Sequence, residues 1–418
     1  MSALSGSYGW TDTLKSVQYG PGCTVTALPK LMHTLGVRKG LIVTGRSLYT
    51  KTDVVAKIKA ILTALDAYAG VFTEIGEHTP VAGIDACIKV YNDSGADFIV
   101  AVGGGSPIDG AKNVRYRVME QTGAAAPPPQ IAIPTTLSAA EYSVRQRAAP
   151  VAGLTTRSRL MQAIQTTRAS PSPHGLSSAL TPLSGTKVVV EHQLLAPAGV
   201  ILDAELTLAT PSRLWISSGI RALDHSIGRH STHTSPRTRP HSASESLYRP
   251  RVSHPGKILC YAALADLFTY LPISLRDPTN IEARQKLLVA TWMSLWPTKW
   301  ETANALGLSH ALGHRLGATY GIAHGITSCL TLAPVVALQA RIASPEDKAC
   351  LARALFYLEE PGTGSVDGDV LKLSRLIAGL VETLGLTSTL SANNVPREDI
   401  PKLARGDVDV VQLLNGIY

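Results

Sequence analysis

Four histidines and one arginine in the second half of the sequence have the residue types and the spacing to carry chemistry. His310, His314 and His324 lie in one glycine-punctuated segment, and His225 follows Arg221 by four residues. Side chains four residues apart share a helix face, so Arg221 and His225 are expected to lie together. Imidazoles bind divalent metals or transfer protons near neutral pH. A guanidinium has no lone pair for a metal, but it pairs with carboxylates, either of a substrate or of a neighbouring acidic residue.

A glycine-rich segment in the first half, Ala101–Lys112 (AVGGGSPIDGAK), has the composition of an anion-binding turn. It follows a predicted strand and opens a predicted helix. Three consecutive glycines let the backbone approach a ligand, and free N–H groups at a helix start can hold a diphosphate. Two alternatives stay open from the residues alone: a strand-to-helix turn without a ligand, and a solvated ion pair between Asp109 and Lys112.

The elements around this turn alternate between strand and helix. Short apolar runs predict strands, and apolar residues at helical spacing predict helices, in the order Gly40–Thr44, Thr52–Tyr68, Gly70–Ile75, Ile84–Ser94 and Phe98–Val102. This order is typical of a parallel sheet with crossover helices. Helical periodicity dominates from Pro211 onward, over Lys257–Tyr270, Asn280–Leu295, Thr302–Leu316 and Val370–Leu384. We therefore expect an α/β nucleotide-binding domain over residues 1–209 and an all-α domain over residues 210–418.

Two segments interrupt this organisation, and both are predicted to be disordered or poorly packed inserts. Residues 144–186 include five arginines, and residues 228–244 include three arginines and three histidines, with no lysine or acidic residue in either segment. Their arginines account for the formal net charge of +8, which comes from 39 basic and 31 acidic residues. The rest of the chain is neutral, so we expect no nucleic-acid partner. Acid-free, unpatterned segments of this kind resemble translated non-coding sequence.

Composition bounds the remaining classes. A chain of 418 residues with 45% hydrophobic and 17% charged residues is typical of a globular protein rather than a disordered one. No uninterrupted apolar run is long enough for a membrane span, so we expect no membrane partner. The five cysteines form no CxxC pair, and the first residues have no leader pattern. These features predict a cytoplasmic protein.

The GGGSxxDxAK pattern of the turn resembles the signature of the iron-containing alcohol dehydrogenase family, which includes the maleylacetate reductases. Three further segments match in the family's order: Ile133–Thr136 (IPTT), Lys187–Asp203 (KVVVEHQLLAPAGVILD) and Gly307–Gly325 (GLSHALGHRLGATYGIAHG). The resemblance covers nearly the whole chain except the two inserts. It implies a dehydroquinate synthase-like fold with hydride transfer in the cleft between its two domains.

The resemblance also implies a binding site for NAD(H) or NADP(H). Its cofactor-binding residues would be Gly45, Gly103, Gly104, Gly105, Ser106, Asp109, Lys112, Thr135, Thr136, Ser138 and Lys187. The diphosphate would lie on the glycine turn, the nicotinamide near Thr135 to Ser138, and the ribose near Lys187. Many NAD-specific members carry Asp where this chain has Gly45. Without that carboxylate, and with Arg46 adjacent, we expect NADP(H) to be accepted; a neutral turn with a solvated arginine is the alternative.

For the helical domain, the resemblance implies a metal site that this sequence alters. Metal-dependent members bind a divalent ion, such as iron or zinc, through one Asp and three His. Here His225, His310 and His324 match, but Arg221 takes the Asp position. A guanidinium opposes a divalent cation, and Asp224 points to another helix face. A three-histidine site completed by water is the alternative.

Maleylacetate reductases depart from the Asp as well, so the resemblance to them is the closer one. We expect Arg221 to bind a substrate carboxylate and His314 or His310 to donate a proton. The predicted function is NAD(P)H-dependent hydride transfer to an activated alkene or carbonyl of a small carboxylic acid, by a homodimeric enzyme. The alternatives are a metal-dependent alcohol dehydrogenase, a lyase sharing the fold, and an inactive member. An inactive member is among the alternatives because residues 228–244 split the helix that carries His225.

Overall fold

The computed structural model describes the backbone of residues 6–8, 13–75, 81–142, 145–148, 188–191, 193–227, 254–295 and 307–418. Its first half forms a seven-stranded sheet in the order β1-β2-β9-β6-β5-β3-β4, and a second sheet pairs β7 with β8. The strands are β1 (Gly6–Tyr8), β2 (Ser16–Tyr19), β3 (Gly40–Thr44), β4 (Tyr68–Phe72), β5 (Phe98–Gly103), β6 (Gln130–Pro134), β7 (Arg145–Ala148), β8 (Val188–Glu191) and β9 (Gly199–Leu202).

The large sheet is parallel except at the β1–β2 edge. Its five helices are α1 (Thr24–Leu35), α2 (Arg46–Lys51), α3 (Val54–Ala64), α4 (Val81–Asp93) and α5 (Gly105–Thr122). Alternate residues of β5 face opposite cores: Phe98 and Val100 pack with α1 and α3, while Ile99 and Ala101 pack with α4 and α5. Because a buried parallel sheet needs apolar residues on both faces, its strands read as continuous apolar runs.

The described residues after β9 form helices joined by turns and contain no strand. Its helices are α6 (Ala204–Thr207), α7 (Ser212–Ile227), α8 (His254–Arg276), α9 (Ile281–Leu295), α10 (Leu308–Tyr320), α11 (His324–Ile342), α12 (Pro345–Ala352), α13 (Ala354–Tyr357), α14 (Val366–Thr383), α15 (Ile400–Leu403) and α16 (Val408–Gly416). Helices α7, α8, α9, α11 and α14 share one core, and α10, α11, α15 and α16 share another. The predicted domain boundary at residue 209 stays a prediction.

Several element bounds differ from the sequence prediction. The predicted helix Thr52–Tyr68 is shorter, Val54–Ala64, because Asp66 has a positive φ of 52° that ends the helical path. The predicted strand Gly70–Ile75 is displaced to Tyr68–Phe72, because main-chain pairing with β3 begins at Tyr68 rather than at the first apolar residue. Residues 302–306 of a predicted helix lie outside the described residues.

The first predicted insert needs a correction at its start. Residues 145–148 form strand β7, which pairs antiparallel with β8, because main-chain hydrogen bonding needs no apolar periodicity. The remainder of that segment, through residue 186, lies outside the described residues, as does the whole of residues 228–244.

Two helices have the length and hydropathy of a membrane-spanning segment. The sequence analysis did not predict them, because neither is an uninterrupted apolar run. They are α8 and α11, and 39% and 67% of their most apolar windows are buried. In the fold both contribute to the helical core, through residues such as Leu264 and Leu332. Core helices of soluble proteins have the same composition, so length and hydropathy alone do not indicate a membrane role.

The close approach of α11 to α7 predicts a stability difference between two glycine substitutions. A Cβ atom on Gly325 would lie 2.5 Å from the backbone oxygen of Ser217, whereas one on Gly379 in α14 would meet nothing within 4 Å. We expect G325A to lower the free energy of unfolding by about 1–3 kcal/mol because backbone must move. The control G379A should raise it by about 0.5–1 kcal/mol, since alanine favours helix. Denaturant unfolding measures both, and equal effects would refute the close packing.

Candidate active site

The glycine turn lies at the carboxyl end of β5. Gly103 has a φ of +133°, a conformation that side chains rarely adopt, and a Cβ atom there would lie 2.9 Å from Pro107 Cγ. Helix α5 begins at Gly105, and its first turn has neither an acidic residue nor a side-chain cap on Gly104. The backbone N–H groups of that turn therefore stay available to an anion.

Two hydroxyl groups from the loop after β6 flank this turn. A Cβ atom on Gly104 would lie 3.2 Å from Thr136 Cγ2, and one on Gly105 would lie 3.5 Å from Ser138 Oγ. The hydroxyl oxygens of Thr136 and Ser138 are buried and have no hydrogen-bond partner among the described residues. Buried hydroxyls of this kind are costly unless a ligand pairs with them. The turn thus fits a phosphate-bearing ligand, and the neighbouring Thr135 holds it to β6 by donating its N–H to Gly103 O at 2.9 Å.

Asp109 and Lys112 brace the turn from within α5. Lys112 Nζ lies 2.8 Å from Asp109 Oδ1 and donates a second hydrogen bond to the carbonyl of Ala140 at 2.6 Å. Burial lowers the pKa of Lys112, and the adjacent Asp109 opposes that shift. The alternative of a solvated pair is wrong, because the Lys112 side chain has no exposed surface. The pair joins α5 to the segment after Ser138.

Gly45 and Arg46 lie at the same edge of the sheet as the turn. Strand β3 neighbours β5, with Thr44 opposite Val102, so both strands end together. Gly45 precedes α2 with extended backbone, and a Cβ atom there would meet nothing within 4 Å. Arg46 is exposed. The predicted ribose contact, Lys187, lies outside the described residues.

The four histidines form a continuous row in the helical half. Ring centroids are 5.2 Å apart between His225 and His310, 4.8 Å between His310 and His314, and 5.3 Å between His314 and His324. They come from three helices: α7, α10 and the start of α11. His225 and His310 are buried, whereas His314 and His324 are half-buried. The row therefore runs from the interior toward the surface.

Arg221 lies beside this row with its guanidinium against His310. Its Nη2 lies 2.6 Å from His310 Nε2, and its Nη1 lies 3.3 Å from Ser328 Oγ and 3.5 Å from Asp224 Oδ2. A guanidinium can only donate hydrogen bonds, so His310 Nε2 accepts, which places the proton of the neutral ring on Nδ1. The predicted role of His310 as a proton donor is therefore restricted to Nδ1.

Asp224 is the neighbouring acidic residue that the sequence analysis left open as a partner of Arg221, and Ser328 is a partner that it did not single out. Ser328 Oγ donates to Asp224 Oδ2 at 2.7 Å. Burial raises the pKa of Asp224, while Arg221 and the hydrogen bond from Ser328 oppose that rise. The spacing from Arg221 to Asp224 is a signal that could have found this pair. Ser328, on α11, had no such signal because it meets Arg221 only through helix packing.

The residues present do not fit a divalent metal ion. Over the described part of the chain, which includes all four histidines, no group of three or more His, Cys, Asp and Glu is arranged to hold a metal. The guanidinium of Arg221 takes the Nε2 lone pair of His310 and places a fixed positive charge beside the row. The predicted ligand set of His225, His310 and His324 thus lacks both a carboxylate and an available His310 Nε2.

Helix α7 connects the histidine row to the glycine turn. Ser218 Oγ accepts a hydrogen bond from Leu137 N at 3.0 Å, one residue beyond Thr136. Thr210, just before α7, donates to the carbonyl of Thr135 at 2.7 Å. The same helix carries Arg221 and His225, so the two halves of the site have a fixed relation to each other. This arrangement suits chemistry between a ligand on the turn and a second molecule at the row.

Comparison with protein families follows the same division of the chain. The model of the iron-containing alcohol dehydrogenase family matches residues 15–146, and that of the C-terminal region of the Fe-containing alcohol dehydrogenase family matches residues 243–415. The chain belongs to the iron-containing alcohol dehydrogenase family. The family implies a metal, and Arg221 is the residue that conflicts with it.

Individual relatives support the family and the fold. The maleylacetate reductase of Rhizobium sp. (strain MTP-10005) is 25% identical over 284 residues, which are 68% of this chain and 63% of that protein. This chain thus spans less than two thirds of that relative's length. The structure of an alcohol dehydrogenase from Oenococcus oeni has a TM-score of 0.76 at 22% identity, over 96% of this chain and 98% of that one. For a sulfoacetaldehyde reductase from Bifidobacterium kashiwanohense, solved in complex with NAD+, the TM-score is 0.72 at 19% identity, over 98% of both. The predicted fold class is confirmed.

The buried contact between Arg221 and Asp224 predicts that substitutions of the two residues are not additive in their effects on stability. We expect R221M to lower the free energy of unfolding by about 3 kcal/mol, because Asp224 is left buried without its cation. This loss of stability should become smaller as the pH falls. The pKa of Asp224 is higher in the folded protein than in the unfolded one, so protonation of Asp224 stabilises the fold. In a D224N background, R221M should lower the free energy of unfolding by clearly less.

Denaturant unfolding of wild type, R221M, D224N and the double variant measures this coupling. R213M serves as a control because Arg213 is exposed on the same helix. The control should change stability by less than about 0.5 kcal/mol. Additive effects of R221M and D224N would contradict the pairing.

Proposed function

We propose that this protein is an NAD(P)H-dependent reductase that transfers a hydride to an activated alkene or carbonyl of a small carboxylic acid, as in maleylacetate reductase. The observation that carries the proposal is the guanidinium of Arg221 in contact with the histidine row, on a helix bonded to the loop beside the glycine turn. A cation at the site favours an anionic substrate, and the turn supplies a place for a dinucleotide.

The cofactor-binding role falls to the residues of the turn. Gly103 to Ser106 would hold the diphosphate with backbone N–H groups, while Asp109 and Lys112 keep the helix start in place. Thr136 and Ser138 would pair with the ligand through their buried hydroxyls. The dinucleotide, when bound, supplies the hydride. Our assignments of Thr135 to the nicotinamide side and of Lys187 to the ribose are part of this proposal.

Arg221 would orient the substrate through its carboxylate. Its distance of 3.5 Å to Asp224 Oδ2 exceeds the 2.7–2.9 Å of a strong charged hydrogen bond, which is a loose contact for a buried pair. A substrate carboxylate can therefore compete for the guanidinium. Because Arg221 is only 4% exposed, this ion pair would form away from bulk water, where it is strong.

His314 would donate the proton that completes the reduction. It is half-buried, next to His310 in the row and close to the exposed end. His310 Nε2 accepts from Arg221, so this atom holds the guanidinium rather than a transferable proton. A positioned imidazole can supply a proton near neutral pH. No metal ion takes part in this scheme.

We place this reductase in the cytoplasm. It would act on a small molecule and would assemble as a homodimer. A metal-dependent alcohol dehydrogenase is the second candidate, favoured by the three histidines at the family's positions. The two differ in whether a chelator abolishes turnover, and an inactive protein would turn over nothing.

Metal-free turnover tests the function directly. We expect the purified full-length protein, dialysed against a chelator, to oxidise NADPH with maleylacetate, because Arg221 provides the positive charge that a metal would otherwise supply. Loss of reduced-nicotinamide absorbance measures the rate, with a panel of neutral aldehydes and ketones as the comparison. Turnover that requires added iron or zinc would support the second candidate, and no turnover under any condition would contradict both.

The place of Arg46 predicts a selective effect on the phosphorylated cofactor. We expect R46A to weaken NADPH binding at least about tenfold while leaving NADH binding unchanged, because a charged hydrogen bond to the 2′-phosphate is lost. R38A is a matched control, since Arg38 is also exposed but precedes β3, at the opposite edge of the sheet. Fluorescence titration gives both affinities, and equal losses for the two cofactors would contradict the assignment.

A further inference from the structure

The position of Arg221 makes it the resident cation of the histidine row. Its guanidinium lies within hydrogen-bond distance of His310 Nε2 and is four residues before His225 on α7. A divalent ion bound by these two histidines would need the lone pair that the guanidinium already holds. It would also meet a full positive charge at contact distance in a site with little exposure to water.

The packing around Arg221 keeps the guanidinium at this place. Arg221 is 4% exposed, and Ser328 and Asp224 contact its Nη1 whereas His310 contacts its Nη2. A Cβ atom on Gly313 would lie 3.5 Å from Nη1 and 2.6 Å from Thr327 Oγ1. The glycine thus lets α10 come close to the guanidinium, which leaves little room for the side chain to move aside for an ion.

We propose that Arg221 is the residue that determines which cation serves this site, and that exchanging its charge converts the site into a divalent-metal site. A carboxylate at position 221 would lie on the face of α7 that carries His225 and would remove the guanidinium from His310 Nε2. One oxygen and two imidazole ligands then converge, and water or His324 can complete a tetrahedral set. The inference deepens the proposed function and rests on the same site.

The test is metal binding, without cofactor or substrate, so that a failure of the proposed reduction is not confused with a failure of this inference. R221D and wild type are stripped with a chelator and titrated with Co²⁺, a spectroscopic substitute for zinc and iron. Visible absorbance and metal content after dialysis report binding. We expect R221D to bind Co²⁺ stoichiometrically and at least ~100-fold more tightly than wild type, because repulsion becomes attraction.

Matched variants separate ligand formation from loss of charge. R221M removes the guanidinium without adding a ligand, so it should bind Co²⁺ less tightly than R221D. H310A in the R221D background should lose the absorbance band if His310 is a ligand. Bound Co²⁺ should raise the melting temperature of R221D and not that of wild type, because a ligand stabilises only the protein that binds it.

Either of two results with R221D would overturn the inference. One is stoichiometric binding by wild type as tight as that by R221D. The other is a folded R221D that binds no Co²⁺. Since an added carboxylate beside Asp224 could prevent folding of the metal-free protein, R221N provides the second variant. It removes the charge and keeps a neutral oxygen, and a folded R221N with no gain over wild type would equally refute the proposal.

Discussion

The contact between the guanidinium of Arg221 and the imidazole of His310 is the interaction on which the rest of the site depends. It places a positive charge beside the buried part of the histidine row and fixes which nitrogen of His310 accepts a hydrogen bond. It also gives the buried carboxylate of Asp224 a cationic neighbour. A family whose name contains iron is thus represented here by a chain that carries its own positive charge at the site.

Helix α7 links the charge of Arg221 to the loop beside the glycine turn. Its first half is bonded to the loop after β6, its second half carries Arg221 and His225, and its side toward α11 is in backbone contact at Gly325. Glycines at 313 and 325 let three helices approach one another around the guanidinium. One helix therefore connects the glycine turn to the cation of Arg221.

Local features of the sequence predicted the glycine turn, the parallel sheet and the helical second half, because buried parallel strands and glycine turns leave direct patterns. The conflict between Arg221 and a divalent metal ion was also predictable, because it depends on the identity of a single residue. Ser328 and the coupling of Ser218 to Leu137 were not predictable, because they exist only where distant helices and loops meet. Strand β7 was missed because edge pairing of polar residues has no apolar signal.

Direct observation of hydride transfer in the metal-free protein tests the central claim most directly. Chelator-treated protein is given maleylacetate and NADPH that carries deuterium at the reactive carbon of the nicotinamide, and the product is analysed by mass spectrometry. Our account predicts deuterium bonded to carbon in the product, with no metal present in the sample. Product that forms only after a divalent metal is restored, or product without deuterium, would contradict it.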